Sequence, residues 1–211
     1  NTISTFPGCG RHSVRALWTL EKDATCKAEL KAWFEDICQA MPCIFGNLKE
    51  LVADEQWLEY LGFGESTELT PTELFNKGLH TSDLKLHGLT CAVHSKQCQC
   101  SVRQADIHIA GTTCVDHSNY GSCTGDQGKN VKFFLIWVAM MRKLLNPIIM
   151  HENVAGFGTQ ALMEALGDLY IICKSVSCAS LIGWPIRRKR QMTILVLKQW
   201  IYPQLRSAGM S

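Results

Sequence analysis

A chain of 211 residues with 46% hydrophobic and 19% charged residues has ordinary globular composition, enough for one sizeable core. A formal net charge of +2 is too small to argue for nucleic acid by itself, and it is uneven: "WPIRRKRQ" is basic, residues 48–73 mostly acidic. The eleven cysteines are odd in number and scattered, and no signal-peptide pattern opens the chain, so free thiols in an intracellular compartment are expected rather than a disulfide framework. The longest apolar run, "FFLIWVAMM", is about half a membrane span, so no membrane partner is expected.

In chain order, residues 3–10 read as a short strand ending in the glycine turn "PGCG". "SVRALWTLEK" reads as a helix, "DATCKAEL" as a second strand, and "KAWFEDICQAMP" as a helix with Trp33, Ile37 and Met41 at helical spacing. "CIFGNLKELV" is a third strand turning into a short helix. Residues 70–104 are polar and weakly periodic, and read as an irregular insertion. The alternation then resumes. "ADIHIAG" is a strand, "VKFFLIWVAMMRKLL" a helix, "PIIMHENV" a strand and "GTQALMEALGD" a helix, before the strands "LYIICKSV" and "QMTILVLK". This rhythm predicts an α/β fold built on a doubly wound, mostly parallel sheet.

In such a sheet ligands sit beyond the carboxyl ends of the strands, where glycines let the backbone come close. "FPGCG" after the first strand, with Glu29 19 residues past Gly10, has that arrangement, since an acid there can accept hydrogen bonds from ribose hydroxyls. Ser13 breaks the full GxGxxG pattern, which suits a nucleoside ligand better than a dinucleotide.

Three later clusters each end or flank a strand: "GTTCVDHS" with Cys114, "HENVAGF" with Glu152, and "GWPIRRKRQ" with Arg188 and Arg190. On parallel neighbouring strands they would meet on one rim. A thiol, a carboxyl group and guanidinium groups suit covalent attack on an electron-poor ring, with an acid to neutralise charge on a ring nitrogen. Strand alternation would turn Arg188 and Arg190 inward and Arg187 and Lys189 outward.

In this order the clusters resemble the motifs of the DNA (cytosine-5)-methyltransferase family, over most of residues 3–197 except the insertion. "FPGCGRHS" is similar to its F-x-G-x-G turn and "FGN" to its F-G-D. "GTTCVDHS" is similar to G-P-P-C-Q-x-x-S, "HENV" contains its E-N-V, and "GWPIRRKR" resembles G-x-P-Q-x-R-x-R. The resemblance implies a methyltransferase fold of Rossmann-like type and S-adenosylmethionine as cofactor, held by Phe6, Gly8, Cys9, Gly10, Glu29 and Asn47. It implies DNA as partner, a flipped cytosine, Cys114 as nucleophile, and Glu152, Arg188 and Arg190 as the other catalytic residues, with Thr112, Ser118 and Asn153 at the substrate. A branch that methylates transfer RNA carries a C-F-T signature absent here, which favours DNA.

The sequence departs from the family at Thr112 and Thr113 (prolines there), Val115, Asn47 and Ile186. The alternative is therefore a catalytically inactive methyltransferase fold that binds cofactor or nucleic acid as a partner. The family continues with a target-recognition region where this chain reaches Ser211, so the expectation is a C-terminally incomplete catalytic domain completed by another segment or subunit. A monomer, nuclear if eukaryotic, is expected. Cys91, His94, Cys98 and Cys100 offer a zinc set, but C-x2-H-x3-C-x-C is an unfamiliar spacing with no second paired knuckle, and the reading there is a cysteine-rich loop without metal.

Overall fold

The computed structural model describes residues 15–36, 41–53, 84–94, 99–112, 131–183 and 185–207. They fall into two compact units, the first holding residues up to Ala53 together with Leu84–Arg103, the second running from Gln104 onward. Residues 84–103 therefore belong with the first strands of the chain, although read from sequence as part of an irregular insertion.

In the first unit, strand β1 (Trp18–Leu20) lies parallel to β2 (Cys43–Phe45), with helix α1 (Ala24–Asp36) between them in sequence. Two expectations are overturned here. "ALWTL" holds a strand where a helix was read, and "ATCKAEL" opens a helix where a strand was read. The local cause is Asp23, whose Oδ1 accepts the amides of Thr25 at 2.8 Å and Cys26 at 3.0 Å, satisfying N–H groups that a helix start leaves without partners. These bonds favour the carboxylate, and they hold Asp23 below its ordinary range. Beyond the cap, the run of Ala, Lys, Glu and Leu suits a helix. Phe34 is its buried residue, not Trp33.

After β2, Asn47 caps a 3-10 turn at Leu48–Leu51. Its side chain accepts from the Lys49 amide at 3.1 Å, and Glu50 reaches back to the Asn47 amide at 3.0 Å. An isolated bridge, Val52–Leu84, and the Ala92 amide to Ile44 O tie in the later segment, a second bridge, Leu89–Cys100, closes it on itself, and Ile44, Phe45, Leu51, Leu86 and Val102 are among the core residues.

The second unit is a four-stranded sheet in the order β3-β4-β6-β5, with β3 Ile107–Gly111, β4 Ile148–Val154, β5 Tyr170–Cys178 and β6 Lys189–Leu197. β3 and β4 are parallel, but β6 is antiparallel to both neighbours. The sheet is thus mixed rather than mostly parallel. Hydrophobic periodicity does not record strand direction, whereas the short link from Cys178 to Lys189, made of a 3-10 turn and Gly183 at φ 87°, leaves no room for the crossover that parallel pairing needs.

Helix α2 (Val131–Leu144) is buried along most of its length, and α3 (Thr159–Leu166) buries Leu162, Ala165 and Leu166. Arg142 clamps α2 to the end of α3 through a two-pronged bond to Asp168 at 2.7 and 2.8 Å. Buried Asn146 accepts the Ala105 amide at 2.8 Å and fixes the start of both parallel strands. A last helix, α4 (Lys198–Ser207), follows β6 directly. No helix among the described residues is long and apolar enough to cross a membrane.

Candidate functional site

The carboxyl end of β3 is where the second unit gathers its reactive side chains. Gly111 pairs with Glu152 across the parallel strands, and Val154 of β4 pairs with Arg190 of β6. With a two-residue side-chain period, Glu152 and Arg190 share one face of the sheet. There Arg190 Nε meets Glu152 Oε1 at 2.7 Å. A Cβ on Gly111 would stand 3.3 Å from Glu152 Oε2, so the missing side chain leaves that carboxylate its place above β3.

The flanking residues of Glu152 point the other way. His151 and Asn153 are fully buried, and both reach the residue that follows β3. Asn153 Nδ2 donates to the Thr112 hydroxyl at 3.1 Å, and the same hydroxyl shares a hydrogen bond with His151 Nε2 at 2.8 Å. The segment leading to Cys114 is therefore clasped at Thr112 from beneath, while Glu152 and Arg190 meet above. Within the sequence E-N-V, Glu152 faces Arg190 and Asn153 faces Thr112 on the opposite side of the sheet.

Beneath the clasp lies a layer of aromatic and polar groups. His151 stacks at a tilt on Trp137, with centroids 4.9 Å apart, and on Phe157 at 5.1 Å. Trp137 Nε1 donates to His108 Nε2 at 3.1 Å, which makes that nitrogen an acceptor and the ring neutral. Burial pushes both histidines down to about 4, and the proximity of His151 adds to the effect on His108. Sequence reading passed over His151, although its place two residues from Asn153 on one strand was the available signal.

Arg188 stands apart from this group. It precedes β6 and is exposed with Arg187 and Lys189, so of the two arginines expected to turn inward only Arg190 meets the carboxylate. Ile186 is 52% exposed. Phe6, Gly8, Cys9, Gly10, Cys114 and Ser118 lie outside the described residues.

In the first unit, Glu29 is an exposed residue of α1 and does not end a strand. The acid at the carboxyl end of β1 is Glu21, half-buried, whose amide donates to Phe45 O at 3.2 Å and whose Oε1 accepts from the Asp23 amide. Because β1 and β2 are parallel, Glu21 and Gly46–Asn47 leave the sheet at the same end. That is where acidic side chains hold ribose hydroxyls in α/β sheets. The same unit also brings Cys43, Cys91, His94 and Cys100 together, with their ligand atoms all within 4.8 Å of one another. Cys98 lies outside the described residues.

No protein-family model matches the sequence, and no curated protein matches it significantly. Solved structures to which the chain is similar include the Dnmt2 methyltransferase of S. pombe, at 14% identity and TM-score 0.40, covering 87% of this chain and 50% of that one. They also include the methyltransferase EhMeth of Entamoeba histolytica, at 14% identity and TM-score 0.42, covering 88% and 54%. A third is a prophage-encoded E. coli protein assigned as a DNA modification methyltransferase, at 20% identity and TM-score 0.36, covering 45% and 27%. The chain thus spans about half the length or less of these proteins.

Proposed function

We propose that this chain carries the catalytic framework of an S-adenosylmethionine-dependent methyltransferase acting on C5 of cytosine in DNA. The observation that carries the reading is the meeting of Glu152 with Arg190 over Gly111, three residues before Cys114. The sequence motifs name these residues separately, and the sheet pairs them.

In this reading the cytosine leaves the stack, because its C5 and C6 are out of reach within a duplex. The Cys114 thiolate adds to C6, forming a carbon–sulfur bond as the C5–C6 π pair shifts toward C5. Glu152, steadied by Arg190, engages N3 and the exocyclic amine and offsets the charge developing on the ring. When bound, S-adenosylmethionine would supply an electrophilic methyl group to C5, the broken carbon–sulfur bond leaving its electron pair on a neutral thioether. Loss of the C5 proton to a base then returns the C6–S electron pair to sulfur and restores both the double bond and the thiolate. Thr112, held by His151 and Asn153, sets where the cysteine segment starts.

The residues present fit the cofactor. Glu21 is an acid at the carboxyl end of a parallel strand, the position suited to ribose hydroxyls, and "FGN" follows the neighbouring strand at the same end. Glu21 takes the role read from sequence for Glu29. The exposed Arg187, Arg188 and Lys189 suit DNA phosphates, which makes binding salt-dependent.

A DNA duplex carrying 5-fluorocytosine tests this reading, since its C5 substituent cannot leave as a proton. With S-adenosylmethionine present, a covalent adduct mapping to Cys114 is expected, and Cys114→Ala should abolish it without loss of cofactor binding. An adduct on Cys173 or Cys123 would overturn the assignment. Cofactor binding without any adduct would favour an inactive fold acting as a binding partner.

A further inference from the structure

We propose that Cys43, Cys91, His94 and Cys100 form a tetrahedral zinc site that staples residues 84–103 onto β2 in the first unit. Three sulfurs surround one imidazole nitrogen: His94 Nδ1 lies 3.5 Å from Cys43 Sγ, 3.5 Å from Cys91 Sγ and 3.3 Å from Cys100 Sγ. One ring nitrogen can make only one hydrogen bond of ordinary strength, as donor or as acceptor, so three such contacts are not explained by hydrogen bonding. A common central ion explains them. Zinc bonds of about 2.3 Å to sulfur and 2.0–2.1 Å to nitrogen, opened to the tetrahedral angle, separate sulfur from nitrogen by about 3.6 Å. The four ligand atoms also lie within 4.8 Å of one another, and the three cysteines are free rather than paired as disulfides.

The backbone around the cluster is arranged as around metal-bound thiolates. Cys91 and His94 stand in one tight bend, at a spacing that lets a single turn present two ligands. Inside that bend the Val93 amide points at Cys91 Sγ, 3.4 Å away, as backbone amides do around metal-bound thiolates. The bend is fastened beside Cys43 by the Ala92 amide to Ile44 O at 2.8 Å, and Cys100 is placed by the Leu89 amide to its carbonyl at 3.0 Å. One imidazole with three thiolates favours zinc over harder cations such as magnesium or calcium. The site is structural: four protein ligands leave no open position for a substrate.

The need for it is physical. This unit is small, its sheet has two strands of three residues, and among the described residues its later segment is joined to the first by a single isolated bridge, Val52–Leu84, and a few backbone bonds. Units of this size are commonly held by a metal or by disulfides. Zinc entering the site would displace the thiol protons to solvent, so its binding adds directly to folding.

The full chain, purified without chelators, should contain one zinc per molecule by elemental analysis. Replacement with cobalt should give the visible bands of a tetrahedral ion and a near-ultraviolet thiolate charge-transfer band. Chelation should lower the melting temperature, with recovery on adding zinc but not magnesium. Cys43→Ser and His94→Ala should lose the metal, while Cys26→Ser, on exposed α1, should keep it. Because a serine variant can simply misfold, Cys43→His provides a second reading: metal is retained and the charge-transfer band falls by about a third, with one thiolate fewer of three. Zinc-free protein with full thermal stability would overturn the proposal, as would a disulfide among Cys43, Cys91 and Cys100. So would loss of metal in Cys98→Ser with retention in Cys43→Ser, which would return the site to the contiguous set 91–100.

Discussion

Glu152 and Arg190 meet at 2.7 Å across two antiparallel strands, and the pair stands directly over the strand end that leads to Cys114. Both groups are only partly buried, so the bond itself adds about 1 kcal/mol or less to stability. Arg190→Ala should therefore leave the melting temperature close to wild type. The same change frees the carboxylate to wander, and slows adduct formation with a 5-fluorocytosine duplex by up to about 100-fold. Glu152→Gln should slow it by about 100- to 10,000-fold, as removal of a proton-donating or charge-compensating group does. Equal adduct rates in wild type and both variants would remove the pair from the chemistry.

Thr112 gives a separate test of positioning. Thr112→Val deletes the hydroxyl that pairs with buried His151 and Asn153, and strands polar groups at a cost of about 1–3 kcal/mol. Adduct formation should slow while cofactor affinity, measured by calorimetry, stays unchanged. Thr112→Ser keeps the hydroxyl and should restore both stability and rate. A valine variant as stable and as fast as wild type would show that the clasp on the hydroxyl does not matter.

Gly111→Ala addresses the same corner from above. The new Cβ would press on Glu152 Oε2 from 3.3 Å, a contact the carboxylate relieves only by shifting a few tenths of an ångström. Stability should fall little, because the neighbour is a side-chain end, but the adduct rate should fall with it. An unchanged rate would mean that the exact seat of the carboxylate is unimportant.

Glu21 and Glu29 separate two readings of the cofactor site. Glu21→Ala should weaken S-adenosylmethionine binding by about 1–3 kcal/mol, the cost of losing a charged hydrogen-bond partner. Glu29→Ala, on the exposed face of α1, should leave affinity unchanged. The reverse result by calorimetry would restore the assignment read from the linear sequence.

His108 and His151 predict the acid side of the stability curve. Their folded-state values, lowered to about 4 by burial, lie below the ordinary 6.5 of the unfolded chain. Between those values the unfolded state binds more protons, so stability is fully present above pH 6.5 and drains away as pH falls toward 4. Each histidine contributes at most about 3 kcal/mol to that loss. Denaturant midpoints measured across this window should fall steeply in the wild type and less steeply in His151→Gln. A flat profile would mean that neither ring titrates below the unfolded value in the folded protein.

Glu152 and Arg190, which the structure brings together, could be picked out before any coordinates because each stands near the end of a segment with strand periodicity; Cys114, picked out on the same ground, lies outside the described residues. The strands from "ADIHIAG" onward and the helices 131–144 and 159–166 were legible for the same reason, since their apolar patterns are long. Shorter patterns misled. "ALWTL" borrows its strand from pairing with β2, and "ATCKAEL" takes its helix from Asp23, so Glu29 was read at a strand end that Glu21 occupies.

What only the tertiary structure decided is which distant residues share a face. A sequence orders residues along one line, while hydrogen-bonded register sets neighbours across lines. Register put Arg190 on Glu152 and left Arg188 exposed. It also turned His151 and Asn153 beneath Thr112, and brought Cys43 from a separate strand to complete a ligand set that the segment 91–100 did not complete by itself. Side-chain chemistry is local to each residue and can be read from its letter; adjacency arises only when the chain folds back on itself.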